Sequence, residues 1–175
     1  MKHLALGNAV LAVMLVVVGI YVNSGTKPRM NTQSLYVLTD SESHETLRVA
    51  LLSDLHVKNS PDAIAEFAEL WSGVIEQTPD IILLGGDYIN DGASNQDIAS
   101  IGPAIANIFR ASGGIPVVAV LGNHDHWSGA ESWTEYLSEA GVTVLENETV
   151  VLEAIGTCIR GFGDAFTGHF KYVDF

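Results

Sequence analysis

Residues 116–125 read PVVAVLGNHD, an apolar run that passes directly into turn-forming and polar residues. The same pattern occurs twice earlier in the chain: residues 47–53 read LRVALLS and precede Asp54, and residues 80–85 read DIILLG and precede Gly86. Short apolar runs rich in Val, Ile and Leu, separated by helical segments, are typical of parallel strands that are covered on both faces. The sequence therefore predicts an α/β fold in which three such strands are followed by polar loops.

The residues that follow these runs are candidate metal ligands. Asp54 and His56 follow the first run, Asp87 follows the second and Asn123 follows the third. Ligands collect at the carboxyl ends of strands in open α/β sheets, so these side chains should converge. Any one of them alone would be interpreted as a turn former or a helix N-cap. Their recurrence at three strand ends instead favours a site for a divalent metal such as Mg, Mn, Fe or Zn.

Three short patterns, in order along the chain, carry a family resemblance. They are Asp-x-His at 54–56, Gly-Asp at 86–87 and Gly-Asn-His-Asp at 122–125. Together they resemble the calcineurin-like metallophosphoesterase superfamily, in particular its membrane-anchored bacterial branch. The resemblance implies an α/β fold with a layered mixed β-sheet and flanking helices. It also implies an enzyme that uses two divalent metal ions to hydrolyse a phosphomonoester, phosphodiester or pyrophosphate bond.

The resemblance assigns a role to each candidate metal ligand. Asp87 would bridge the two ions, Asp54 and His56 would bind the first, and Asn123 would bind the second through its neutral carbonyl oxygen. Phosphoester hydrolysis brings water to a phosphorus shielded by negative oxygens, and two ions about 3.5–4 Å apart meet that requirement.

The resemblance also assigns catalytic roles to His124 and Asp125. His124 would face the substrate and stabilise the phosphoryl oxygens or protonate the leaving alkoxide, while Asp125 would orient its imidazole. A carboxylate partner raises the pKa of a histidine and fixes its tautomer, which suits a general acid near neutral pH. Trp127 could line the substrate pocket or could pack against the loop. Asp91, in an Asn-Asp-Gly sequence, is interpreted as a turn residue.

The sequence lacks residues that the resemblance implies. The family supplies further histidines from its second half, including a Gly-His-x-His segment, but downstream of His126 the only histidine is His169. We expect His169 to be a loop residue rather than a ligand. Four protein ligands do not fill two metal shells of about five or six positions each. Either water and substrate complete them or, as we interpret the sequence, the chain is an N-terminal fragment.

The N-terminal region predicts a membrane anchor. Residues 4–22 are almost entirely apolar and long enough to span about 30 Å of hydrocarbon as a helix. A secretory signal peptide is the alternative, although no Ala-x-Ala cleavage site is present. Residues 1–3 would form a short flank, residues 23–45 a linker with a first strand at 35–38, and residues 46–175 the phosphoesterase domain. The predicted location is therefore the membrane, through a single-pass anchor whose orientation the flanking charges leave open.

The charge of the chain limits its partners. With 21 acidic and 8 basic residues, its formal net charge is −13, and nucleic acid is not expected as a partner because phosphate backbones require a basic surface. A small phosphorylated substrate or a lipid-linked one, such as a UDP-diacylglucosamine, remains compatible with a metal site beside a membrane. The alternative is a catalytically incomplete, membrane-tethered module that binds metal or acts as a scaffold.

The remaining patterns predict the elements around the site. Ser60 and Pro61 begin a helix with Phe67 and Trp71 on its apolar face. Further helices are predicted at about 95–111, interrupted or kinked near Pro103, and at 131–140. Strands are predicted at 142–145, 149–153 and 157–160, the last with a buried Cys158.

Overall fold

The computed structural model of the chain describes residues 47–89 and 95–172. Six strands and three α-helices lie in these ranges, and the four strands of the larger sheet alternate with the helices. In chain order the elements are β1 (Val49–Leu52), α1 (Pro61–Glu76), β2 (Ile81–Leu84), α2 (Asn95–Arg110), β3 (Val117–Ala119), α3 (Asn123–Glu139), β4 (Thr143–Val144), β5 (Glu148–Leu152) and β6 (Thr157–Gly161).

Strands β1 to β4 form a parallel sheet in sequential order, with Val49 beside Ile81 and Ile82 beside Val117. Parallel neighbours joined by a helix place all their carboxyl ends at one edge, so the loops after β1, β2 and β3 lie side by side. The α/β class with a parallel sheet and flanking helices is confirmed. The described strands form two sheets, because β5 and β6 pair antiparallel to each other and apart from β1 to β4.

The two faces of the parallel sheet are covered by different structures. Ile82 and Leu84 of β2 belong to the core that contains the buried faces of the helices. Their neighbour Ile81 points the other way and packs with Leu83 in a smaller core that includes Val150 of β5. Successive residues of a strand face opposite sides, so an unbroken apolar run is what a doubly covered strand requires.

Helices α1 and α2 pack through aromatic side chains. The Ser60 hydroxyl accepts a hydrogen bond from the N–H of Ala63 at 3.3 Å and caps α1, as predicted. Phe67 and Trp71 of α1 both meet Phe109 of α2 edge to face, with ring centres 5.6 and 5.0 Å apart. Helix α2 continues without interruption across Pro103.

Helix α3 begins eight residues before its predicted start at Glu131. Asn123 is its first residue, so the Gly-Asn-His-Asp sequence forms the N-terminus of a helix rather than a free loop. Gly129 interrupts the helical backbone with φ 140° and ψ 76°, which only glycine adopts readily. The early start was not predicted because apolar residues do not recur at helical spacing in residues 123–128. This turn is held instead by the polar contacts described below.

Several predictions concern residues outside the described ranges. They are the membrane helix at 4–22, the linker and strand within 23–45, and the turn at Asp91. Within residues 47–89 and 95–172, no helix combines the length and apolar character needed to cross a membrane. The prediction of a buried Cys158 is wrong: its side chain is exposed, because its neighbours Thr157 and Ile159 face inward.

Candidate metal centre

Three of the predicted metal ligands lie in strained backbone at the sheet edge. Asp54, His56 and Asp87 have φ values of 54°, 43° and 57°, in the left-handed region that non-glycine residues rarely occupy. Each such residue costs on the order of 1–3 kcal/mol and persists only where the surrounding structure enforces it. Their concentration in two adjacent loops is typical of a functional site.

The side chains of these residues meet around one imidazole. His56 Nε2 lies 4.0 Å from Asp54 Oδ1 and 3.9 Å from Asp87 Oδ2. His56, Asp87 and His124 also present ligand atoms that all lie within 4.8 Å of one another. The Asp54 side chain is 59% exposed and that of Asp87 only 13% exposed, so the group opens to solvent on one side. Carboxylate oxygens around an imidazole fit a divalent ion of the Mn, Fe or Zn type.

Backbone hydrogen bonds fix the first two loops against each other. The N–H of Asp54 donates to the carbonyl of Gly86 at 3.1 Å, and the N–H of His56 donates to the carbonyl of Asp87 at 2.9 Å. The parallel pairing of β1 and β2 is thus prolonged into the site. The separation of the predicted ligands is therefore set by backbone and does not depend on flexible side chains alone.

Asp87 also joins the second loop to helix α3. Its Oδ1 accepts a hydrogen bond from the N–H of His124 at 3.1 Å. The N-terminus of a helix carries a partial positive charge and unpaired N–H groups, so a carboxylate there is stabilised. The contact directs one oxygen of Asp87 toward α3 and leaves the other beside His56.

Two glycines allow this close approach. A Cβ atom on Gly122 would lie 2.8 Å from Cγ of Asp87, and one on Gly86 would lie 2.8 Å from Cα of Gly122. Both distances are shorter than real Cβ contacts, and Gly86 also has φ 91°. The glycines of the Gly-Asp and Gly-Asn-His-Asp patterns are therefore a steric requirement of the site.

Asp125 is fully buried and binds backbone. Its carboxylate accepts hydrogen bonds from the N–H groups of Asp87 at 2.7 Å, Tyr88 at 3.0 Å and Gly122 at 2.9 Å. Burial raises the pKa of Asp125 to about 7, against the lowering effect of these three hydrogen bonds. The contacts show that Asp125 holds the loops after β2 and β3 together. That it orients the imidazole of His124 stays a prediction.

The remaining predicted residues lie at the start of α3. Asn123 is the first residue of the helix, at the same edge as the other ligands. The ring of His124 meets the ring of His56 at 4.9 Å and that of Trp127 at 5.1 Å, both edge to face. Trp127 is 61% exposed and also contacts Phe166 at 5.7 Å. Of the two predicted roles for Trp127, lining a substrate pocket and packing against the loop, its exposure beside His124 favours the first.

A second cluster of possible ligands was not predicted from the sequence. His126, Glu146 and His169 present ligand atoms within 4.8 Å of one another. Burial, and then the neighbouring His169, lower the pKa of His126. The three residues belong to no motif and lie up to 43 positions apart, so no local signal in the sequence could have identified them.

The fold and this site define a class of protein, and comparison with known sequences agrees. The profile of the calcineurin-like phosphoesterase family matches residues 47–172. The chain therefore belongs to the calcineurin-like phosphoesterase family.

Individual relatives are similar over most of the chain. Phosphodiesterase YaeI of Escherichia coli is 31% identical over 134 residues, which cover 71% of this chain and 46% of the relative. A Helicobacter pylori protein described as an uncharacterized metallophosphoesterase is 27% identical over 137 residues, 75% of this chain and 33% of the relative. A Bos taurus transmembrane protein with a metallophosphoesterase domain is 28% identical over 188 residues, 96% of this chain and 40% of the relative. The chain thus spans less than half the length of each of these relatives.

Proposed function

We propose that this chain carries the metal-binding and proton-donating part of a metal-dependent phosphodiesterase. The observation that supports this most directly is the position of His56 Nε2, 4.0 Å from a carboxylate oxygen of Asp54 and 3.9 Å from one of Asp87. The strained backbone at the same three residues and the family membership of the chain support the same conclusion.

The residues present fit part of the coordination of two divalent ions. Asp54 and His56 would hold one ion, Asn123 the other, and Asp87 both, since its two oxygens face different sides of the site. When bound, such ions neutralise charge on the phosphoryl oxygens and supply an activated water. Asp125 would keep the loops that carry Asp87 and Asn123 at a fixed separation.

His124 is the residue best placed to act on the substrate. Its backbone is fixed by Asp87, while its ring stands between those of His56 and Trp127. Its imidazole would donate a proton to the departing alkoxide or hydrogen-bond to a phosphoryl oxygen. The exposed rings of Trp127 and Phe166 would form an apolar wall for the organic part of the ester.

The substrate class and the location are proposed from the names of two relatives. The Escherichia coli relative is named a phosphodiesterase and the Bos taurus relative a transmembrane protein. We therefore propose a phosphodiester substrate and a site held near a membrane by residues 4–22. No contact among the described residues selects a nucleotide-linked glycolipid, the more specific substrate that the resemblance implied.

Hydrolysis of bis-p-nitrophenyl phosphate by the full 175-residue chain, purified in detergent with added Mn²⁺, tests the proposal. We expect turnover in the wild type and a loss of at least about 100-fold in Asp87→Asn, because the bridging charge is removed while the size is kept. Asp62→Asn, an exposed acid in the first turn of α1, is the matched control and should retain activity. Turnover that Asp87→Asn retains, or a folded wild-type chain that binds no Mn²⁺, would contradict the proposal. Mn²⁺ binding that Asp87→Asn abolishes, without turnover in the wild type, would favour the non-enzymatic, metal-binding or scaffold alternative.

A further inference from the structure

The second cluster lies outside the candidate metal centre and joins three separate segments. His126 is in the first turns of α3, Glu146 follows β4, and His169 is in residues 163–170, which we call the 163–170 loop. His126 and Glu146 also line a cleft of about 220 Å³ together with Glu148, and none of the cleft's lining residues is a predicted ligand of the candidate metal centre.

We propose that His126, Glu146 and His169 form a separate binding site for a divalent transition metal, with Zn²⁺ as the best-suited ion. Two imidazoles and one carboxylate are a donor set that zinc accepts, with the remaining position taken by water. Other ligand types select other metals: thiolates would favour Cu(I), and oxygen ligands alone would favour Mg²⁺ or Ca²⁺. The mixed nitrogen and oxygen set therefore points to zinc or a similar ion.

The first supporting observation is an unpaired atom. Nε2 of His126 is buried, and no hydrogen-bond partner for it lies among the described residues. Buried polar atoms are paired in the great majority of cases, and an exception calls for an explanation. A bound cation at the cluster would provide the missing partner.

The second observation concerns the tautomer of His169. The Thr167 hydroxyl donates its hydrogen to Asp164 Oδ2 at 2.7 Å, so its oxygen must accept from Nδ1–H of His169 at 2.8 Å. This leaves the lone pair of His169 on Nε2, free for a metal. A carboxylate or hydroxyl behind the non-ligating nitrogen is the usual support of a metal-bound histidine.

The third observation is that the loop is held in place by the residue next to Glu146. The Asn147 amide donates to the carbonyl of His169 at 2.8 Å and accepts from the N–H groups of Gly163 at 3.2 Å and Lys171 at 2.7 Å. These contacts bring His169 to Glu146 without help from a ligand. The backbone that carries His169 and Glu146 is therefore in place before a metal binds.

One rearrangement is required on binding. The rings of His126 and His169 are stacked, with centres 3.8 Å apart and planes 12° apart. A metal lies near the plane of each ring that binds it, so one ring has to turn out of the stack. The hydrogen bond from Thr167 holds the ring of His169, whereas Nε2 of His126 has no partner among the described residues, so we expect the ring of His126 to turn.

Zinc at this cluster would act on the candidate active site through the 163–170 loop. Phe166, in the same loop, contacts Trp127, which contacts His124. Fixing His169 would hold Phe166 against Trp127. The site would therefore stabilise the apolar wall that the substrate is proposed to meet.

Calorimetric titration of the full chain with Zn²⁺ alone tests the inference. The visible absorption of bound Co²⁺ reports the coordination geometry of the site. The Asp87→Asn background weakens the candidate metal centre and isolates the second cluster. In that background we expect His169→Gln to reduce zinc affinity at least about tenfold, and Thr167→Val by about 10- to 100-fold through loss of the supporting hydrogen bond. Thr167→Ser keeps the hydroxyl and should restore binding. Glu148→Gln removes a charge from the same cleft without removing a ligand, and should leave affinity unchanged.

Each outcome decides the question independently of phosphodiester turnover. Zinc binding that persists in Asp87→Asn and is lost in His169→Gln supports the second site. Zinc binding that disappears in Asp87→Asn, or that His169→Gln leaves intact, would overturn it. So would the absence of binding by a folded chain.

Discussion

The edge of the parallel sheet and the 163–170 loop both gather histidines and carboxylates, but they are built by different means. At the sheet edge, backbone carries the geometry: Asp54 and His56 are hydrogen-bonded to the loop after β2, and glycines remove the side chains that would block contact. In the loop, side chains carry the geometry, through Asn147 and Asp164. A site built by backbone contacts is therefore visible as short contiguous motifs in the sequence, whereas a site built by side-chain contacts is not.

The strongest test of the backbone-built site is Gly86→Ala. The added Cβ would lie 2.8 Å from Cα of Gly122, at a backbone φ of 91°. We expect a loss of about 3 kcal/mol or more in the free energy of unfolding, because neither backbone can move without breaking the strand pairing. Urea denaturation followed by circular dichroism measures it.

Gly73→Ala is the matched control for that experiment. Gly73 is in α1, and apart from its chain neighbours and the backbone of its own helix, no heavy atom of the described residues lies within 4 Å of the position that an alanine Cβ would take there. Alanine at this position should therefore stabilise the chain by about 0.5–1 kcal/mol. If Gly86→Ala unfolds at the same urea concentration as Gly73→Ala, the two loops are not in the tight contact described above.

A smaller effect is expected from Asp125→Asn. At pH 8, above its pKa of about 7, the carboxylate accepts from three N–H groups, whereas an amide can accept through only one oxygen. At least one buried N–H would lose its partner, and the amide NH₂ would face N–H donors. We expect this to outweigh the relief of a charge that burial disfavours, with a net loss of about 1–3 kcal/mol. The variant Glu66→Gln neutralises an exposed acid in α1 and should change stability by less than about 0.5 kcal/mol. Equal stability of Asp125→Asn and the wild type would refute the organising role of Asp125.

Asn147→Ala tests whether the loop is independent of the sheet edge. It removes two hydrogen bonds to the loop and one to the adjacent Lys171, each contributing roughly 1 kcal/mol, so amide exchange in residues 163–170 should accelerate about tenfold or more. Amides of β1, β2 and β3 should keep their protection. The control Asn107→Ala removes an exposed contact to Arg110 in α2. Acceleration that spreads to β2 would show that the two regions unfold together.

The two regions also differ in how far they could be predicted. Local patterns predict the strands β1, β2 and β3, the helix cap at Ser60 and the placement of the candidate ligands at one edge. Apolar runs and strand-end residues act over only a few positions. The early start of α3 could not be predicted, since Asp125 gains its role from N–H groups 37 and 38 residues away. The second cluster could not be predicted either, because only the packing of the loop brings His169 to His126.

The smallest expected effect concerns the pH dependence of the loop. Partial burial alone would raise the pKa of Asp164, but hydrogen bonds from Thr167 and Phe166 lower it below its usual value of 3.8. A carboxylate whose pKa is lower in the folded state than in the unfolded state stabilises the fold at pH values above the unfolded-state pKa. That contribution is lost as the pH falls through the folded-state pKa. The loop should therefore stay ordered at about pH 5–7 and loosen only below about pH 4.

Nuclear magnetic resonance of the Thr167 amide distinguishes this local change from general acid unfolding. In the wild type its signal should shift as Asp164 takes up a proton, because that amide donates to Asp164 Oδ2 at 2.6 Å. In Asp164→Asn this shift of the Thr167 amide signal should be absent. The pH at which β2 unfolds in acid should be unchanged. A midpoint above about pH 4 in the wild type would mean that the hydrogen bonds to Asp164 do not stabilise its charged form. The tautomer assigned to His169 would then lose its support, because the same Thr167 hydroxyl makes both contacts.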